Sequence, residues 1–253
     1  MVISSISNEK VKLLRSVSQT KGRREHGLYL AEGANLLKDI PDPKAVRYLF
    51  VKESKADSFK EILDRFPAER IVLTDELFDR VSDTVTPAGI AALVEIPKPS
   101  DISEVIEEKI IVLDHVADAG NVGAILRTAV AAGYQKAVLI GCADPYSPKA
   151  VRASMSAIFK VELCFCDNKS FLCSKNIQNY DIIVLDMLGE SIFTYRPHGK
   201  YALVVGNEAH GVDPEIKATG SKLSIPMTSM ESLNAAVSAG VAMYLLERNQ
   251  MKQ

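Results

Sequence analysis

Short apolar runs recur along this chain and alternate with stretches of helical spacing. Val11, Leu14 and Val17 repeat at three-residue steps among polar neighbours, which predicts a first helix. Leu28–Ala31 then predicts a strand, Gly33–Ile40 a short helix and Val46–Val51 a strand. Phe59–Phe66 predicts a helix, Ile71–Leu73 a strand and Ile90–Ile96 a last strand. Such alternation indicates an α/β layer. The segment from Ile96 to Ser103, IPKPSDIS, interrupts it, because Pro97 and Pro99 suit neither helix nor central strand. Two domains are therefore expected, 1–97 and 98–253.

Beyond the boundary the apolar runs are Ile110–Leu113, Ala137–Ile140, Val161–Phe165, Ile182–Leu185, Ala202–Val205 and Leu223–Ile225. Continuous rather than alternating runs of this length fit strands covered on both faces. Helix candidates lie between most of them, so the expected fold is a parallel sheet of about six strands with helices on both sides. Two runs, Leu203–Val205 and Leu223–Ile225, end in polar turns bearing Gly or Pro, and each turn leads into a helix candidate. Open α/β sheets bind ligands at such strand ends, so one pocket built by both turns is expected. The helix after the second turn is crowded with small residues: Ala235, Ala236, Ser238, Ala239, Gly240 and Ala242.

Composition narrows the class. A hydrophobic fraction of 47% and a charged fraction of 25% are ordinary for a globular chain. No apolar run is long enough for a membrane span, and MVISSISNEKVK has no signal-peptide core, so a cytoplasmic protein is expected. Cys142, Cys164, Cys166 and Cys173 form no C-x2-C pair, so reduced, mostly buried thiols and no metal site are expected. The net charge of −2 gives no general affinity for nucleic acid. Locally, however, Lys10, Lys12, Arg15, Lys21, Arg23 and Arg24 face only Glu9 and Glu25 in the first thirty residues. That patch either engages phosphates or is a solvated helix surface. No G-x-G-x-x-G follows the strand ending at Leu113, which argues against a nicotinamide enzyme.

Three ordered segments carry the chemistry. The first is LDHVADAGNVGAILRTA, Leu113 to Ala129, with Asn121, Gly123 and Arg127 in a helix. The second is Gly206-Asn207-Glu208-x2-Gly211. The third is Ile225-Pro226-Met227 followed by Ser232-Leu233-Asn234. Read as local structure, Asn121 suits a helix N-cap, and so does Ser232. Glu208 reads as a loop acid, Gly206 as a close-approach glycine, and Arg127 as a helix-surface cation. These three segments resemble the motifs of the SpoU (TrmH) family of S-adenosylmethionine-dependent RNA ribose 2′-O-methyltransferases, over roughly residues 110–247. Ile3-Ser4-Ser5 with Asn8 and Lys10, Leu30-Ala31-Glu32-Gly33, and Thr86-Pro87-Ala88-Gly89-Ile90 resemble the small RNA substrate-binding domain fused to many members.

The resemblance implies a SPOUT domain with a trefoil knot near its C-terminus, which the hydrophobic pattern does not reveal. It implies S-adenosylmethionine as cofactor, a homodimer, and ribosomal RNA, 23S rRNA foremost, as substrate. Transfer RNA is the alternative substrate, and a non-catalytic RNA-binding assembly factor the alternative function. Arg127 matches the family's catalytic arginine, bound to a phosphate or to the developing alkoxide. Asn121, Glu208, Ser232 and Asn234 match the remaining active-site positions, with Glu208 either holding Arg127 or meeting substrate. Gly206, Asn207, Gly211, Ile225, Met227, Leu233 and Asn234 match cofactor-binding positions. His115 and Val116 depart from many relatives, where proline is common.

Overall fold

The computed structural model describes residues 2–229 and 232–251. The chain divides into two compact units: Met1–Pro97 together with Asp144–Phe159, and Lys98–Ala143 together with Lys160–Gln253.

The first unit contains β1 (Val2–Ile3), α1 (Glu9–Ser16), α2 (Thr20–His26), β2 (Leu28–Glu32) and α3 (Ala34–Lys38). β3 (Val46–Lys52), α4 (Lys60–Asp64), β4 (Glu69–Leu73), α5 (Asp75–Val81) and β5 (Ile90–Glu95) complete the stretch before Pro97. The sheet order is β1-β4-β3-β5-β2. β1, β4 and β3 run parallel, while β5 is antiparallel to both its neighbours. Val11, Leu14, Leu30, Phe50, Leu73, Phe78 and Leu93 form its core.

Helix α2 is absent from the hydrophobic pattern, since TKGRREH has almost no apolar residue. Packing explains it. Gly22 lies so close to α1 that a Cβ there would sit 2.1 Å from the Ser16 carbonyl oxygen. Arg23 is 2% exposed. Its guanidinium pairs with Asp144 at 2.7 Å and donates to the carbonyls of Val17 and Ser18. Asp144 belongs to the later segment assigned to this unit, which also carries Tyr146, whose ring packs tilted against Tyr29 with centroids 5.1 Å apart. Arg23 is thus a buried ion-pair partner and leaves the basic patch. Lys12, Arg15, Lys21 and Arg24 remain exposed.

The second unit contains β6 (Lys109–Asp114), α6 (Ala119–Ala131) and β7 (Lys136–Ile140). After α7 (Pro148–Ser154), which belongs to the first unit, come β8 (Glu162–Cys166), α8 (Asn168–Cys173) and β9 (Asp181–Ser191). β10 (Tyr201–Val205), α9 (Pro214–Lys217), β11 (Ser221–Ser224) and α10 (Ala235–Met251) follow. All six strands are parallel, in the order β11-β9-β10-β6-β7-β8. Ile110, Val112, Val138, Val184, Ala202 and Val204 are buried in its core, as continuous apolar strands require.

β9 runs well past the expected Leu185. Its ladder with β11 jumps from Val184 opposite Lys222 to Glu190 opposite Leu223. Residues 185–189 therefore leave the ladder and bow outward, with Met187 and Leu188 exposed. Of the four cysteines only Cys164 is buried, and Cys173 is exposed, so the expectation of mostly buried thiols does not hold. Burial nevertheless pushes the Cys142 thiol up to about 11. Among the described residues no helix is long and apolar enough to cross a membrane, and no cluster of three His, Cys, Asp or Glu could hold a metal ion.

Candidate active site

The site lies at the C-terminal ends of the second unit's strands. α6 starts where Asp118 accepts a hydrogen bond from the Asn121 amide at 3.0 Å. Asp118, not Asn121, is the N-cap, and such a cap contributes about 1 kcal/mol. This frees the Asn121 carboxamide for longer-range contacts. Its Nδ2 donates to Glu208 Oε1 at 2.7 Å, and its Oδ1 accepts from Asn234 Nδ2 at 2.9 Å. Asn234 in turn caps α10, its Oδ1 accepting from the amides of Ala236 at 2.9 Å and Val237 at 3.3 Å. The cap is therefore Asn234 and not Ser232. One residue from each of the three segments thus joins a single hydrogen-bonded chain.

Glu208 also accepts from the main-chain amides of Ala117 at 3.2 Å and Asp118 at 3.4 Å. Partial burial alone would raise its pKa, but the Asn121 amide and the main-chain N–H groups outweigh that and hold it below the usual carboxylate value. Glu208 does not hold Arg127. The Arg127 side chain is exposed and makes no hydrogen bond or ion pair among the described residues. It stands six residues beyond Asn121 on the same helix, about 9 Å further along the axis.

The second segment explains itself through its backbone. Asn207 and Gly211 exchange main-chain hydrogen bonds of 3.0 and 2.9 Å, closing a tight turn. Asn207 Nδ2 donates to the His115 carbonyl at 2.8 Å, and its Oδ1 accepts from Ala209 and His210. Gly211 has φ 72. A Cβ on Gly206 would lie 2.2 Å from the Gly211 carbonyl carbon. Gly206 is therefore required by its own turn, whatever ligand approaches it.

The third segment borders an open pocket of about 420 Å³ lined by Ile225, Met227, Ser232 and Leu233, with Leu185, Asp186, Met187 and Ser238. Gly206, Asn207 and Gly211 do not line it. The residues missed by sequence reading come from the bowed end of β9. Their signal was a strand run ending in Asp186 and, three residues on, Gly189 at the ligand-binding edge. Asp186 pairs with Lys217 at 2.8 Å, which holds its carboxyl below the usual range. α10 packs on α6 through Gly240, where a Cβ would lie 3.3 Å from the Thr128 methyl. The buried face of α10 is Ala239, Ala242, Met243 and Leu246; opposite it Val237, Val241 and Tyr244 stay 51%, 36% and 54% exposed, and Leu233, just before the helix, 39%.

Comparison with known proteins agrees with this geometry. Residues 108–244 match the SpoU rRNA Methylase family, and residues 8–92 match an MRM3-like substrate binding domain. The chain is 29% identical over 250 residues to the 23S rRNA (guanosine(2553)-2'-O)-methyltransferase RlmP of Bacillus subtilis (strain 168), covering 96% of this chain and 98% of that one. It is 31% identical over 197 residues to the 23S rRNA (guanosine-2'-O-)-methyltransferase RlmB of Haemophilus influenzae, covering 70% and 77%. A putative RNA methyltransferase of the TrmH family from Porphyromonas gingivalis superposes with a TM-score of 0.82 at 29% identity, covering 97% of this chain and 99% of that one. The fold is also that of an AdoMet-bound rRNA methyltransferase from Sinorhizobium meliloti, with TM-score 0.87, 24% identity and coverage of 98% and 97%. Motifs, sheet order and relatives converge: this chain belongs to the SpoU rRNA methylase family.

Proposed function

We propose that this chain transfers a methyl group from S-adenosylmethionine to a ribose 2′-hydroxyl of 23S ribosomal RNA. The observation that carries this reading is the Glu208–Asn121–Asn234 chain, which ties three separate segments together directly beside the pocket. The pocket suits an adenosyl cofactor. Leu185, Leu223, Ile225, Met227 and Leu233 offer apolar wall for adenine, and Ser232 and Ser238 offer hydroxyls to ribose and amino-acid groups. When bound, S-adenosylmethionine supplies a methyl already activated on a sulfonium. Gly206, Asn207 and Gly211 act one step back, by shaping the turn that presents Glu208.

Arg127 meets the RNA. Its guanidinium makes no hydrogen bond or ion pair among the described residues, so it is available to a phosphate or to the oxygen that gains negative charge during transfer. A guanidinium is a poor general base, so Arg127 is not the proton acceptor. Glu208, fixed by Asn121 and two amides, orients the site as a carboxylate. The first unit supplies RNA affinity through Lys12, Arg15, Lys21 and Arg24. Two copies cover the apolar stripe of Leu233, Val237, Val241 and Tyr244, so the enzyme is a homodimer. We also take the family's trefoil knot to be present, and the enzyme to work in the cytoplasm.

The test is a mass-spectrometric map of ribose methylations in ribosomal RNA from a deletion strain and its parent. One 23S rRNA 2′-O-methylation should vanish and return with the intact gene. Identical maps in the two strains would overturn the reading.

A further inference from the structure

Three residues of the pocket wall, Leu185, Asp186 and Met187, belong to the stretch of β9 that leaves its ladder with β11. A wall that has left its ladder must be held by other contacts. Its lower end is fixed to β11. Ser224 Oγ donates to the Gly189 carbonyl at 2.9 Å and to the Glu190 carbonyl at 3.3 Å. Gly189 lies against the β11 backbone, where a Cβ would sit 2.4 Å from the Lys222 carbonyl carbon. The crest of the bow gains little from packing, since Met187 and Leu188 are exposed.

Asp186 tethers the crest. Its Oδ1 accepts from the Leu188 amide at 2.9 Å, which closes the turn. Its Oδ2 meets the Lys217 ammonium at 2.8 Å. The two side chains are only 12% and 29% exposed, so water screens this pair less than a surface pair. Lys217 ends α9 and does not line the pocket. Its ammonium also lies beside the turn that presents Glu208, because a Cβ on Gly211 would sit 3.8 Å from Nζ. α9 is a fixed base for this reach. The Asp213 amide donates to the buried Asp114 Oδ2 at 2.6 Å, and Ile216 is fully buried.

We propose that Lys217 is a positioning residue for the cofactor: its ammonium holds Asp186, and with it the bowed wall of β9, where S-adenosylmethionine packs against it. The proposal rests on the cofactor reading of the pocket above and adds a residue outside that pocket. Without the ammonium the crest has more backbone arrangements, and a ligand must order it on binding. That ordering weakens ground-state and transition-state binding alike, so the loss falls on cofactor affinity and not on the transfer step. Lys217 acts through the position of the wall, not through charge at the sulfur. The loss is therefore the same for S-adenosylmethionine and for its demethylated product S-adenosylhomocysteine, which lacks the sulfonium charge.

The test is calorimetry of both ligands on the full chain, with thermal melts and single-turnover methylation of 23S rRNA on the same samples. Lys217→Met should weaken both ligands about tenfold, equivalent to about 1.4 kcal/mol. The milder Lys217→Gln should do the same, and Lys217→Arg should restore most of the affinity, since a guanidinium also pairs with a carboxylate. Asp186→Asn combined with Lys217→Met should bind no worse than the weaker single variant, because both remove one contact. Methylation by Lys217→Met should show a raised KM for cofactor, with the rate at saturating cofactor within about threefold of wild type. Unchanged affinity in Lys217→Met and Lys217→Gln would overturn the proposal. So would no rescue by arginine, additive losses in the double variant, a loss confined to S-adenosylmethionine, or a loss in rate alone. Those results leave the cofactor reading standing if the wild-type chain binds both ligands. A wild-type chain that binds neither would sink that reading and the proposal with it.

Discussion

Asn121→Asp keeps the shape of the side chain and replaces its donor with a second carboxylate facing Glu208. In the native site the Asn121 amide donates to Glu208 at 2.7 Å. A charge-assisted hydrogen bond of this kind contributes about 1.5–3 kcal/mol when sheltered, and the open setting places it near the lower end. Two carboxylates with charge centres about 4 Å apart repel by about 1 kcal/mol in water-like surroundings and about 4 kcal/mol at an effective dielectric of 20. Together these changes cost about 3 kcal/mol near neutrality. For a unit of this size that lowers the melting temperature by about 6–12 °C. The sign with pH is fixed. Glu208 in the native protein has a lowered pKa, so its contribution is present above the ordinary carboxylate value of 4.5 and fades as pH falls through the lower folded value. In the variant the paired carboxyls share a proton and one pKa is raised. The deficit is then small below about pH 4 and grows as pH rises through that raised value. Thermal unfolding of both proteins between about pH 4 and pH 8, with single-turnover methylation at the upper end, checks this. Equal melting temperatures and equal rates near pH 8 would refute the structural role given to the Glu208–Asn121–Asn234 chain.

Arg127→Ala should slow single-turnover methylation by about 100-fold or more, equivalent to about 2.7 kcal/mol, and change cofactor affinity by less than about threefold in calorimetry. Arg23→Ala should destabilise the first unit by about 3 kcal/mol through the orphaned Asp144, an effect seen in thermal melts. Arg24→Ala, on the exposed surface, should leave melting unchanged and flatten the salt dependence of RNA binding by about one unit at most. Val237→Glu should shift light scattering from a mass near twice 27.6 kDa to the single-chain mass. A wild-type protein that scatters as a single chain would remove the dimer from the picture.

The strands of the second unit were legible because their burial on both faces writes itself as short apolar runs, as at Ile110–Leu113 and Ala202–Val205. The bowed end of β9 was not, because residues 185–189 leave the ladder for a reason held in β11, about 35 residues away in sequence. α2 was invisible for a similar reason: Arg23 is buried by an ion pair with a residue 121 positions later. Within the site, Asn121, Glu208 and Asn234 were legible as motif positions, but their mutual hydrogen bonds were not. The identity of the helix caps was misread, since Asn121 and Ser232 both suit a cap while Asp118 and Asn234 fill it. Gly206 was legible as a glycine that something must approach. Only the folded turn shows that the approaching group is the Gly211 backbone.

Purified full-length chain should be incubated with S-adenosylmethionine carrying a labelled methyl and with 23S rRNA from the deletion strain. The RNA is then digested to nucleosides and analysed by mass spectrometry. The label should appear at one position, on the ribose 2′-oxygen, and should be nearly absent with Arg127→Ala. Label on a base, or no label despite cofactor bound in the pocket beside Ile225 and Leu233, would contradict ribose methylation as the activity of this site.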